Sequence, residues 1–241
     1  MAPLFPPHPQ PMLPVTGSDL TYPVSRIFCV GRNYAAHAAE MGGEMGGEMG
    51  GEVGGEVGGE VDREAPFYFT KSAVHLLASG STLRYPPGTG DLHHEVELVV
   101  ALGAPAFRVG TDAAMASVLG TAVGLDMTRR DLQGQAKVQR RPWDTAKDFE
   151  GSAVIGPITP GAMPAAIRLT VNGTLRQSAP LADMVWTVSS LIAHLSGLYH
   201  LGPGDLIMTG TPAGVGPVVP GDVLEGTADG LLPVHLTIVA A

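Results

Sequence analysis

The chain has 241 residues, 44% of them hydrophobic and 15% charged, enough to bury a substantial core as one large domain. Its net charge of −9 argues against a nucleic-acid partner, which needs a basic face, and no apolar run reaches the length of a membrane span. The first residues lack the basic and apolar segments of a secretory signal, and the single cysteine, Cys29, lies in the apolar stretch Ile27-Phe28-Cys29-Val30, where it reads as a core filler. Together these predict a reducing, cytoplasmic setting without disulfides.

Seven prolines within residues 1–23 predict an extended arm over residues 1–25, leaving residues 26–241 as the body. Residues 27–30 read as a short buried strand. Gly31-Arg32-Asn33-Tyr34 turns the chain, and residues 35–41 read as a helix with His37 and Glu40 on one face. A glutamate beside a histidine can orient the ring and raise its basicity, as a general base requires; an ordinary surface pair is the alternative. From Glu40 the unit Glu-(Met/Val)-Gly-Gly recurs five times and then restarts at Glu60. Each glycine costs about 1 kcal/mol relative to alanine in a helix, so residues 42–62 read as a mobile loop or weak helix inserted into a pre-existing loop. Glu44 falls in phase to compete with Glu40 for His37.

Residues 67–70 read as a strand that delivers Lys71, and the turn at residues 86–90 leads into His93-His94-Glu95-Val96-Glu97-Leu98-Val99-Val100. The apolar, β-branched run predicts a strand entering the core. Alternation puts Glu95 and Glu97 on one face, and two adjacent carboxylates need something positive between them: a metal ion, an Arg or Lys, or a shared proton. Seen alone, a Glu-x-Glu is more often a solvated strand end. His93 and His94 are adjacent and so point to opposite faces, which disfavours a histidine-based metal site. Residues 112–119 read as a short helix, and residues 121–125 as a strand of small apolar residues ending on Asp126. Thr128 and Asp131 suggest a capping box for a helix with Arg130 and Gln133 on one face and Lys137 a turn further on. That helix stops before Pro142; Lys147 follows Trp143. Asn172-Gly173 is a strong hairpin signal between strands at 167–171 and 174–178. Residues 187–198 form an amphipathic pattern, with Val188, Leu191, Ile192, Leu195 and Leu198 on one face. A strand at 206–208 precedes Thr209-Gly210-Thr211-Pro212-Ala213-Gly214-Val215-Gly216, and a final strand pair turns at Asp229-Gly230. No strand–helix–strand alternation appears in this half. The expectation is an α+β, β-rich, partly rolled sheet with a few short helices.

Several of these pieces, in this order, resemble the fumarylacetoacetate hydrolase family. They are Gly31-Arg32-Asn33-Tyr34 with His37 and Glu40; Phe69 and Lys71; and His93-His94-Glu95-x-Glu97-Leu98. Then come Asp126-Met127-Thr128-x-Arg130-Asp131-x-Gln133, Pro142-Trp143-x-x-x-Lys147, Val171-Asn172-Gly173 with Gln177, Gly204-Asp205, and the run from Thr209 to Gly216. The resemblance covers residue 26 to the C-terminus and is closest to the acylpyruvase and oxaloacetate decarboxylase branch. It implies a mixed β-roll, commonly dimeric, holding one Mg²⁺ or Mn²⁺ on Glu95, Glu97 and Asp126; three carboxylates without a thiolate independently suit a hard divalent cation. It further implies hydrolysis of an acylpyruvate, a small 2-oxo acid, to pyruvate and a carboxylic acid. His37, oriented by Glu40, takes a proton from water, and Lys147 faces the developing oxyanion. Arg130, Gln133, Lys71, Tyr34 and Thr211 lie near the substrate, with a structural ion pair as the alternative for Lys71. Oxaloacetate decarboxylation passes through the same pyruvate enolate. The rivals are an isomerase or tautomerase of 2-oxo or 2-hydroxy-dienoate acids, which needs no attacking water, and a catalytically idle metal-binding protein.

Overall fold

The computed structural model describes residues 3–43 and 65–241. At its centre is the strand Val96–Leu102, whose sequence VELVVAL is buried along its whole length. A strand buried on both faces has no need of polar alternation, which is why the run is apolar beyond Glu97. It pairs antiparallel with Val118–Asp126 on one side and Asp205–Met208 on the other. Beyond Asp205–Met208 come Arg26–Gly31, in parallel, and then Phe67–Lys71. Beyond Val118–Asp126 come Ala153–Ile155 and Leu76–Ala78. A second, five-stranded sheet runs in the order Thr174–Pro180, Ala166–Val171, Val223–Ala228, Val234–Val239, Ser81–Arg84. Leu92–His94 is flanked by Thr128–Arg129 and Gly216–Val218 in a third, three-stranded sheet. Parallel and antiparallel pairs mix, and the chain is a mixed β-roll with a few short helices, as expected.

Asn172 and Gly173 both take left-handed backbone angles (φ 52° and 75°) and close the hairpin between Ala166–Val171 and Thr174–Pro180. The amphipathic helix is Val188–Leu198, and the Thr187 hydroxyl caps it by accepting from the Ser190 N–H at 3.2 Å. Leu191, Ile192 and Leu195 are buried against Phe28, Leu98 and Val100. Leu198, expected on that face, is exposed because the helix ends on it. The helix expected at 112–119 is shorter: Thr111–Ala114 with a 3-10 turn, after which Leu119 already belongs to Val118–Asp126.

The helix Arg130–Val138 has no side-chain cap, so the expected Thr128–Asp131 capping box does not form. Asp131 instead accepts from the Thr89 hydroxyl at 2.6 Å and the Gly90 N–H at 3.0 Å, stapling the preceding turn to the helix. Thr128 is drawn away, donating to the Asp126 carbonyl and accepting from Lys147.

Within the Pro-rich segment, Met12–Pro14 pairs with Thr21–Pro23, and Leu13, Tyr22 and Val24 pack on Ile27 and Cys29. The reading of residues 42–62 falls, from residue 44 onward, outside the described residues; residues 42 and 43 end the helix Ala35–Gly43. Among the described residues no helix is long and apolar enough to cross a membrane.

Candidate active site

Glu95 occupies the break between Leu92–His94 and Val96–Leu102, and Glu97 lies two residues into the central strand. The register of that strand with Val118–Asp126 sets Val96 against Leu125, and the Asp126 N–H donates to the Glu95 carbonyl at 2.8 Å. Three carboxylates from two neighbouring strands therefore converge. One oxygen from each of Glu95, Glu97 and Asp126 lies within 4.8 Å of the others, and all three side chains are buried.

Cations surround them. Lys147 Nζ is 2.7 Å from Glu95 Oε2, 2.7 Å from Asp126 Oδ2 and 2.8 Å from the Thr128 hydroxyl. Lys71 Nζ is 2.8 Å from Asp126 Oδ1, and Arg130 Nη2 donates to Glu95 Oε1. Burial alone would raise the Glu95 carboxyl, but Lys147 and Arg130 hold it below the usual carboxylate range. Glu97 goes the other way: burial, then Asp126 and Glu95, push it well above that range, while Lys147 and the Gly210 N–H, 2.8 Å from Oε2, oppose the shift. Buried hard-oxygen donors under mutual repulsion, without a thiolate, fit a hard divalent cation, whose charge relieves that repulsion.

Glu95 and Glu97 line a narrow cleft together with His37, Lys147, Arg130, Gln133 and Thr211. His37 Nδ1 is 3.4 Å from Glu40 Oε2. Glu40 is fixed in turn by the Gly214 N–H, which reaches both its oxygens at 3.1 Å. Gly214 has a φ of +96°, and a Cβ there would lie 2.1 Å from the Arg176 carbonyl oxygen, so only glycine fits this donor position. Glu44 lies outside the described residues. Burial lowers the His37 imidazole below its ordinary value of 6.5, with Glu95 and Glu40 opposing the shift. The shift favours the neutral ring, which can accept a proton. Lys147 is raised despite its burial, chiefly by Asp126 and Glu95, and stays cationic.

Two of the expected substrate contacts are elsewhere. Lys71 is fully buried, spanning Asp126 and the carbonyls of Met127 and Lys147, and does not line the cleft. It follows Phe69 on the same strand face and forms an ion pair with Asp126. Tyr34 packs in the apolar cluster with Met184 and Leu191, and among the described residues its buried hydroxyl has no hydrogen-bond partner. Burial, with Glu97 and Asp183, raises its pKa. The neighbouring Asn33 is fixed by its amide, which donates to the Trp186 and Thr209 carbonyls and accepts from the Trp186 N–H.

Three residues were missed as site members. Gln177, buried, accepts from the Val96 N–H at 3.0 Å and donates to the Thr211 hydroxyl at 2.7 Å and the Pro212 carbonyl at 2.8 Å. It clamps the start of the central strand to the Thr211–Pro212 loop. Arg32 and Lys137 also line the cleft. Lys137 is seven residues from Arg130 and four from Gln133, a helical spacing that signals a shared face. His93 and His94 diverge as expected, His93 toward Asp91 and Arg130, His94 toward Gln177.

The pattern of the Fumarylacetoacetate (FAA) hydrolase C-terminal family matches residues 26–239. The chain is 50% identical over 179 residues to the fumarylpyruvate hydrolase of Ralstonia sp, covering 73% of this chain and 93% of that protein. It is 37% identical over 220 residues to the oxaloacetate tautomerase YcgM of Escherichia coli (strain K12), covering 89% and 93% of the two. Its fold superimposes on the crystal structure of the fumarylpyruvate hydrolase from Pseudomonas aeruginosa in complex with Mn²⁺ and pyruvate. The TM-score is 0.88, with 42% identity and full coverage of both chains. Fold, family pattern and relatives agree: the chain belongs to the fumarylacetoacetate hydrolase family.

Proposed function

We propose that the protein is a metal-dependent acylpyruvate hydrolase that cleaves the carbon–carbon bond of fumarylpyruvate or a related β-diketo acid, giving pyruvate and a carboxylic acid. The observation that carries this reading is a histidine braced by a glutamate on the cleft that Glu95 and Glu97 line, with Asp126 converging on those two carboxylates. Glu95, Glu97 and Asp126 would hold Mg²⁺ or Mn²⁺, which when bound supplies Lewis-acid polarisation of the 2-oxo acid end. His37 takes a proton from water, and the resulting hydroxide adds to the distal acyl carbonyl. Glu40 holds the imidazole in place and stabilises its charged form. Lys147 supplies positive charge toward the oxyanion that develops. The carbon–carbon bond then breaks with its electron pair remaining on the pyruvate fragment, and the proton on His37 returns to that carbon. Arg130 and Gln133, linked to each other by a hydrogen bond, orient the substrate oxygens, and Thr211 lines the opposite loop.

A second reading, tautomerisation of oxaloacetate, is supported by the 37% identical tautomerase and by His37 as a proton shuttle that needs no attacking water. Oxaloacetate decarboxylation uses the same enolate. Pyruvate release from fumarylpyruvate, acetylpyruvate and oxaloacetate, measured with Mn²⁺, with Mg²⁺ and with EDTA, separates these. Metal-dependent release from an acylpyruvate that His37→Ala abolishes is the expected result. Metal-dependent keto–enol exchange of oxaloacetate without any release assigns the tautomerase instead. The reading extends to a cytoplasmic homodimer with residues 26–241 as its catalytic body; the family match over residues 26–239 and the buried thiol of Cys29 support the body and the compartment. Light scattering tests the dimer.

A further inference from the structure

The reaction above leaves two cations of the same cleft without a task, Arg32 and Lys137. Their neighbours are compensated: Arg130 pairs with Glu95, and Lys147 with Glu95 and Asp126. Among the described residues no carboxylate pairs with Arg32 or Lys137. Neither placement is incidental. Arg32 has a φ of 58°, uncommon for a residue with a Cβ, and is held there by the buried Asn33 that follows it. Lys137 extends from Arg130–Val138 with its ammonium 5.4 Å from the centre of the Trp143 ring. Burial, then Arg130 and Arg32, lower the Lys137 amine to about 8, with Glu95 opposing the shift, as expected where cations crowd one another.

The position of these cations along the cleft is also defined. Glu95 and Glu97 are the buried floor, whereas Arg32 is exposed, and Arg32 and Trp143 also line an adjoining cavity with Phe67 and Trp186. Arg32 thus marks the outer end. A 2-oxo acid with its reacting end on the floor extends its far end toward these two cations.

We propose that Arg32 and Lys137 form a subsite for the second, distal carboxylate of a 2-oxo dicarboxylate, selecting substrates with an anionic acyl group over neutral acylpyruvates. The proposal rests on the hydrolase reading for the orientation of the substrate. A cation with no carboxylate partner favours the ligand that pairs it, and a charged hydrogen bond at such a partly exposed site changes affinity by about tenfold.

The test uses two uncleavable acids of equal length, 2-oxoheptanedioate and 2-oxoheptanoate, titrated calorimetrically into Mn²⁺-loaded protein. The expected result is at least about a tenfold preference for the dicarboxylate. That ratio should collapse toward one in Lys137→Met and Arg32→Met and persist in Lys137→Arg. Equal binding of both acids by the wild type overturns the subsite, as does a preference that survives in both methionine variants. Pyruvate release from fumarylpyruvate is measured beside it. Release with equal binding sinks the subsite and spares the hydrolase. Preference without release sinks the hydrolase and leaves the subsite standing.

Discussion

Asp126 and Asp205 are both buried aspartates at strand ends of the same sheet, and they live in opposite electrostatic circumstances. Asp205 faces one guanidinium and one backbone donor: Arg26 Nε and Nη2 reach its two oxygens at 2.7 and 2.6 Å, and the Gly202 N–H reaches it at 2.9 Å. This arrangement is self-sufficient, one acid with its donors, tying the parallel strands Arg26–Gly31 and Asp205–Met208 together. Asp126 is crowded by two further carboxylates and needs two lysines. The contrast teaches that burying an acid is not in itself a mark of function, since a single acid with enough donors is a fastening. Crowding acids against one another costs stability and makes sense where a cation is to be bound.

Substitutions at the two places should therefore separate stability from activity. Glu97→Gln is expected to cut metal-dependent turnover by at least about a thousandfold while leaving the urea midpoint in EDTA no lower than wild type. Asp205→Asn should do the reverse, losing about 3 kcal/mol in the same denaturation while Mn²⁺ affinity by calorimetry stays put. Similar stability losses in both variants would break the comparison. His37→Ala is next in size, with kcat down by about a hundredfold to ten-thousandfold and Mn²⁺ affinity unchanged, because in the proposed mechanism the histidine moves a proton and the carboxylates hold the ion. Loss of Mn²⁺ affinity in that variant would merge the two roles. Gln177→Ala strips partners from the Val96 N–H and the Thr211 hydroxyl and should cost about 2 kcal/mol in unfolding free energy.

The smallest effect is a pH shift. Burial places the His37 pKa below 6.5, so kcat/KM should hold through neutrality and fall on the acid side below pH 6.5 as the ring protonates. Glu40 favours the protonated ring, so Glu40→Gln removes a term that raises the pKa, and the acid limb should move to still lower pH. A limb that moves upward would mean Glu40 is not the group bracing His37.

How much of this was legible beforehand depended on which side chains obey a period. Glu95 and Glu97 were readable because a strand alternates, and His93 and His94 for the same reason. Asp126 and Lys147 came from the order of motifs rather than from any local pattern, since strand pairing brings Asp126 to Glu95 across 31 positions of chain. The burial of Tyr34 is not legible in the sequence, which does not show that the Asn33 amide beside it is wholly taken up by backbone bonds. Lys71 shares a face with Phe69, but depth along that face is set by the roll and not by alternation. The Thr128–Asp131 pair has the spacing of a cap, yet Lys147 and the turn at Thr89 compete for both side chains and win. Lys137 carried a usable signal in its helical spacing from Arg130, and Arg32 carried none, since its left-handed backbone is visible only in the fold.

The central strand Val96–Leu102 has as its neighbour Asp205–Met208, which lies more than 100 positions later, and that strand in turn lies against Arg26–Gly31 from near the chain's beginning. Contacts so distant in sequence form late. On a ribosome, the acids and the histidine are therefore made early but have no completed floor or loop until the segment carrying Asp205, Gly210 and Gly214 emerges. A polypeptide cut short before that segment contains every proposed metal ligand and the base, and still lacks the backbone donors that position Glu97 and Glu40. On the proposed reading, competence for chemistry thus arrives all at once, when that segment is in place.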